Sequence, residues 1–126
     1  LDELLETVQN HLHVVQADLA NPDPDPEDPQ VESDHVATLE TEIDGYDEEL
    51  APLQSFILPG GGPSGARLHH ARTVVRRAER RTVELAQSEP INETVVTYLN
   101  RLSDLLFTLG RVANARDGEP EESPTY

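Results

Sequence analysis

Cysteine, methionine, tryptophan and lysine are all missing from these 126 residues. Without cysteine the chain has no disulfide, no thiolate metal site and no thiol nucleophile. No apolar run approaches the roughly 18 residues needed to span a bilayer, and no signal-peptide pattern opens the sequence, so a soluble, cytoplasmic protein is expected. A chain that starts at Leu1 without methionine either begins inside a longer polypeptide or has lost its first residues. Because lysine is absent, all nine basic residues are arginine, set against 25 acidic residues and a formal net charge of −16. Such a surface repels duplex phosphates, which argues against nucleic-acid binding. It suits high salt, where screening over a few ångströms makes the self-repulsion tolerable. This halophilic reading assigns the acidity to the solvent and leaves the retained arginines to report on function.

The chain length suits one domain with a single helical core. Leu4, Leu5, Val8, Leu12, Val15 and Leu19 keep the 3.6-residue period and predict a helix over 2–19. Asn21-Pro-Asp-Pro-Asp-Pro-Glu-Asp-Pro29 then reads as an extended, solvated loop. A second helix is expected from an N-cap at Ser33 or Asp34 to about Leu50, with Val36, Leu39, Ile43 and Tyr46 or Leu50 inward. Gly45 weakens its middle. Pro59-Gly-Gly-Gly-Pro63 forbids helix, Ser64 is a good N-cap for a third helix to about Gln87, and a fourth runs from about Glu93 to Ala115. The polar, acidic stretch after it reads as a mobile tail. The expectation is an all-α up-and-down bundle over 1–116 with a tail over 117–126.

Eight of the nine arginines fall between Arg67 and Arg111. Arg72 and Arg76 lie four apart and project from one helix face, Arg80 continues the row, and Arg77 and Arg81 form a second row. Guanidinium forks in line suit a polyphosphate; pairing with Glu79, Glu84 or acidic neighbours is the structural alternative. The glycine-rich segment precedes a helix N-terminus, where backbone N–H groups could meet an anion, but it lacks the lysine and spacing of a phosphate-binding loop. Phe56 stands at its entrance and could equally be core. On the fourth helix Asn100, Arg101 and Asp104 crowd one turn beside the apolar face of Leu99, Leu102, Leu106 and Leu109. Among the five histidines, only Glu32-Ser-Asp-His35 has the spacing a di-metal carboxylate bundle needs, and such a bundle needs two.

Phe56-Ile-Leu-Pro-Gly-Gly61, Arg72-x-x-x-Arg76-Arg-Ala-Glu-Arg80 and Tyr98-Leu-Asn-Arg-Leu-Ser-Asp104 resemble the PduO-type ATP:cob(I)alamin adenosyltransferases. The likeness extends to Leu1-Asp-Glu-Leu4 and to Gln9 through Gln16-Ala-Asp-Leu-Ala20. The resemblance implies a helical bundle assembled as a homotrimer, with the active site between subunits. It also implies transfer of the 5′-deoxyadenosyl group of ATP to cob(I)alamin with Mg²⁺, releasing triphosphate. A flavin-type reductase and an adenosylcobalamin-dependent enzyme would be its partners. On this likeness Arg76 binds triphosphate, Arg77 and Glu79 share its motif, and Asn100 contacts ATP. Arg72 pairs with Asp2 across the subunit interface, and Phe56 packs beneath the corrin. The family's N-terminal Thr-x-Thr-Gly-Asp-x-Gly loop around the phosphates is not within these 126 residues, and Leu5 stands where an asparagine is expected. A corrinoid-binding or regulatory homologue on the same scaffold is the alternative. A helical nucleotide pyrophosphohydrolase would need facing Glu-x-x-Glu pairs that are not evident.

Overall fold

Each helix begins where the sequence supplies a terminus signal. In a computed structural model that describes residues 1–50, 60–118 and 120–121, α1 is Asp2–Ala20, α2 Ser33–Asp47, α3 Pro63–Ala86 and α4 Glu93–Arg116. Asp2 and Glu3 occupy the first turn of α1 and Glu93 that of α4, where carboxylates meet the positive helix end. The cap of α4 is Asn92, whose Oδ1 accepts from Thr94 N at 3.1 Å.

Two caps fall upstream of the expected residues. Helix α3 starts at Pro63 with Gly62 as cap, ahead of Ser64, because proline's fixed φ and missing N–H suit the first helical position. Helix α2 is capped by Glu32, whose backbone N–H donates to His35 Nδ1 at 2.9 Å, closing part of a reciprocal cap. Gly45 does not interrupt α2.

The contacts fix the topology. Residues rising along α3 meet residues falling along α4: Gly65 faces Asn114, His69 faces Gly110, Arg72 faces Phe107 and Glu79 faces Asn100. These two helices are therefore antiparallel. On α2 the numbers rise together with α4, from Glu40 with Arg101 to Asp47 with Thr108. On α1 they fall, from His11 with Tyr98 to Asp18 with Asn92. The order is up-down-up-down around α4, which is buried on every side over much of its length. Tyr98, Leu39, Leu102, Leu105, Leu109, Val95 and Val112 form the driest layer, with Leu4, Val8 and Val15 of α1 and Val36 of α2 closing over it. Among the described residues there are no strands.

The proline-rich segment is exposed over most of its length, as its composition suggests, but its middle is not simply extended. Asp28 Oδ2 accepts from Asp25 N at 2.9 Å and from Asn21 Nδ2 at 3.0 Å, which folds the middle of the loop into a turn. Val31, just beyond, is buried. The buried carboxylate of Asp18 takes Val31 N at 2.8 Å and Asn92 Nδ2 at 2.9 Å, and the same Nδ2 donates to Val31 O at 2.8 Å. One asparagine thus caps α4, holds the loop and shares a buried charge. Asn92→Ala is expected to cost about 2 kcal/mol, a lost cap plus under-satisfied buried acceptors, measured by denaturant unfolding.

Candidate functional site

The cationic rows of α3 separate once the helix is packed. Arg72 is half-buried, whereas Arg76, Arg77, Arg80 and Arg81 remain exposed. Arg72 lays its guanidinium over the Phe107 ring of α4, 5.1 Å from the centroid. Burial lowers its pKa, with the neighbouring Arg76 adding to the effect and Asp104 opposing it. Its Nε is buried with no hydrogen-bond partner among the described residues.

One turn beyond Arg76, Glu79 and Asn100 meet across α3 and α4, Nδ2 donating to Glu79 Oε2 at 3.2 Å. Asn100 Oδ1 accepts from Arg101 NH1 at 2.6 Å, and Arg101 reaches Glu40 of α2 at 3.7 Å. This Glu79–Asn100–Arg101–Glu40 chain orients the Asn100 amide unambiguously, because arginine only donates and glutamate only accepts. Asn100 keeps one N–H and one lone pair for a ligand. The sequence-derived residues Arg72, Arg76, Glu79 and Asn100 therefore occupy one strip of the α3–α4 surface with Asp104, while Arg77 lies exposed on the neighbouring row of α3. Asp2 is exposed at the start of α1 and does not pair with Arg72 within the chain. The antiparallel register of α1 and α4 carries Asp2 towards the end of the bundle that holds Arg72 and Phe107. Phe56 lies outside the described residues.

The glycine-rich segment has a structural occupation. Asn114 of α4 donates Nδ2 to Gly60 O at 2.8 Å and accepts Gly62 N at Oδ1, 3.0 Å away. The Gly62 N–H is therefore already spent on the protein. Gly61 has φ +99°, a left-handed conformation that favours glycine. Arg111, also buried, pairs with Glu121 from beyond the end of α4. Asn114, Phe107 and His69 belong to no motif in the sequence. The one available signal was Gly110, an unexplained glycine in mid-helix.

Two histidines sit where a positive charge is disfavoured. Burial lowers the pKa of His69, Arg72 lowers it further and Glu121 opposes. Burial and then His35 lower that of His11, whose Nδ1 lies 3.0 Å from the Tyr98 hydroxyl; burial also pushes the Tyr98 phenol up. Each folded-state histidine pKa is below its ordinary value of 6.5. As pH falls through 6.5 the unfolded chain takes protons first, so this stability is complete above 6.5 and declines below it. Thermal midpoints at high salt should therefore fall from pH 7.5 to 5.5; a level or rising midpoint would contradict this assignment.

Among the described residues no helix is long and apolar enough to cross a membrane, and no group of three or more histidine or acidic side chains is placed to hold a metal ion. A family model for cobalamin adenosyltransferase matches residues 1–113. The chain is 50% identical over 116 residues to a corrinoid adenosyltransferase of Bacillus subtilis, covering 92% of this chain and 59% of that one. It is 45% identical over 122 residues to a corrinoid adenosyltransferase of Mycobacterium leprae, covering 90% and 64%. The chain thus spans less than two thirds of either relative. Its fold matches a variant PduO-type ATP:corrinoid adenosyltransferase from Lactobacillus reuteri complexed with cobalamin and ATP, with a TM-score of 0.91, 36% identity, and coverage of 98% of this chain and 70% of that one.

Proposed function

This chain belongs to the cobalamin adenosyltransferase family, and on that premise we propose that it transfers the 5′-deoxyadenosyl group of ATP to cob(I)alamin at a site between subunits of a homotrimer. The cobalt electron pair forms the bond to C5′, the C5′–O bond breaks, and its pair leaves on triphosphate. Reduced cobalt is itself the nucleophile, so the protein needs no serine, cysteine or histidine for that role. Its tasks are alignment of C5′ and neutralisation of the leaving group.

The observation that carries this reading is the state of the α3 arginines. Arg76 presents a guanidinium to solvent one turn from Arg72 and one turn from the Glu79–Asn100 pair. That strip offers fork donors for phosphate oxygens next to an amide with spare hydrogen-bonding capacity. Arg77 flanks Arg76 on the neighbouring row. The half-buried Arg72 and the exposed Asp2 make no ion pair with each other among the described residues, which leaves both for the pairing between copies that the family likeness implies. The donor set fits Mg²⁺ carried by the nucleotide, since this ion prefers phosphate oxygens, waters and one or two carboxylates; Glu79 and Asp104 are the carboxylates at hand. Phe56 would pack beneath the corrin and keep the lower axial ligand away, which makes four-coordinate Co(II) easier to reduce. A flavin-type reductase and an adenosylcobalamin-dependent enzyme are the partners this reaction calls for.

The test is anaerobic incubation of the full-length protein with ATP, Mg²⁺ and reduced cobalamin at high salt. Appearance of the cobalt–carbon absorption spectrum and stoichiometric triphosphate is expected. No adenosylation would leave a corrinoid-binding homologue on the same scaffold.

A further inference from the structure

An α-helix that is buried on all sides gains from alanine and loses from glycine, yet α4 carries Gly110 in its interior with no positive φ to require it. Space is the reason. A Cβ on Gly110 would lie 2.7 Å from His69 Cε1 and 2.8 Å from His69 Nε2, closer than non-bonded atoms approach. The missing side chain is a notch, and the imidazole of α3 fills it, only 4% exposed.

From that notch a stack extends towards the site. The His69 ring lies against Phe107, with centroids 5.9 Å apart and planes at 58°. Phe107 in turn carries the Arg72 guanidinium at 5.1 Å. Both Arg72 Nε and His69 Nε2 are buried without partners. Among the described residues no hydrogen bond fixes either nitrogen, so contact with Phe107, beside the charges of Arg76 and Asp104, sets where the guanidinium lies. A long, flexible side chain placed by packing rather than by a hydrogen bond moves when its support moves.

We propose that His69, seated in the notch left by Gly110, is a positioning residue that holds Phe107 and through it aims the Arg72 guanidinium at the subunit interface. The ring acts in its uncharged form, since a second cation beside Arg72 would push the guanidinium off the Phe107 face. The other charged groups that face these two are Glu121, itself paired with Arg111, beside His69, and Arg76 and Asp104 beside Arg72. The inference rests on the reading of Arg72 as an interface group of the adenosyltransferase site.

The experiment is a double-mutant cycle in the full-length protein, read by KM for ATP and by the ¹⁵N–¹H resonance of Arg72 Nε. His69→Ala is expected to raise KM about tenfold and to remove the ring-current shift of the Arg72 Nε–H, while His69→Phe keeps both within about twofold of the parent. In an Arg72→Ala background, His69→Ala should change KM by less than about twofold. Gly110→Ala, which drives a methyl into the imidazole, should reproduce His69→Ala and serves if that variant does not fold. A residue that only fills space would lower the thermal midpoint while leaving the Arg72 resonance and KM in place, and that result overturns the proposal. So does an equal KM effect of His69→Ala with and without Arg72. If Arg72→Ala alone leaves KM unchanged, the reading of Arg72 fails and the proposal falls with it; if adenosylation is absent throughout, the enzyme reading is what has failed, and the Arg72 resonance still decides the positioning.

Discussion

Arg76→Ala lowers kcat/KM for ATP by about 10²- to 10³-fold, the usual cost of removing one preorganised donor to developing charge. The same substitution leaves the thermal midpoint nearly unchanged. Both halves follow from where the side chain lies. Arg76 is exposed on α3 and makes no ion pair among the described residues, so folding gains little from it; surface substitutions of that kind stay within about 0.5 kcal/mol. Its value lies in what it offers a triphosphate one turn from Asn100. Arg76→Lys preserves charge and loses the planar fork, so it should fall between the two, nearer to alanine if bidentate contact matters. Arg116→Ala is the control. That arginine reaches Glu49 at 2.8 Å at the far end of α4 and should leave kcat/KM within about twofold. Steady-state adenosylation beside calorimetric unfolding separates the outcomes, and an Arg76→Ala enzyme with parental kcat/KM would remove Arg76 from the site.

The helices were legible because burial imposes a 3.6-residue period that survives in the spacing of Leu4, Val8 and Val15 or of Val95, Leu99, Leu102 and Leu106. The starts were less so, since α3 opens on Gly62 and Pro63 and α2 on a Glu32–His35 capping box, rather than on the hydroxyl signals that Ser64 and Ser33 display. The strip of Arg72, Arg76, Glu79 and Asn100 could be read because its members sit at helical spacing on only two helices. What the sequence hid were groups that act across large separations. Asn114 holds glycines more than 50 positions upstream, and His69 meets a glycine whose only sign is the absence of a side chain. The charge pattern groups five α3 arginines together, but burial against Phe107 distinguishes Arg72 from the rest, and no pattern of charge contains that.

Gly65→Ala unfolds the chain about 3–5 kcal/mol more easily, although alanine is the better helix former. Intrinsic propensity favours the substitution by up to about 1 kcal/mol. Against it stands the Asn114 side chain: a Cβ at Gly65 would lie 2.0 Å from Oδ1 and 2.4 Å from Cγ, so the amide must leave. It takes with it the bonds to Gly60 O and Gly62 N and abandons buried polar groups, at about 1–3 kcal/mol each. The clash wins by several-fold. Gly45→Ala is the opposite case, because its Cβ meets nothing within 4 Å on the exposed face of α2; there propensity acts alone and the variant should gain about 0.5–1 kcal/mol. The interaction can be isolated by removing its other half. Asn114→Ala is destabilising by itself, but in that background Gly65→Ala should become nearly neutral, a non-additivity that denaturant midpoints of the four proteins would reveal. Additive losses would mean that Gly65 is needed for something other than the Asn114 clasp. The same cycle bears on function: if the glycines serve only to admit Asn114, the double variant weakens ATP binding no more than its lost stability explains.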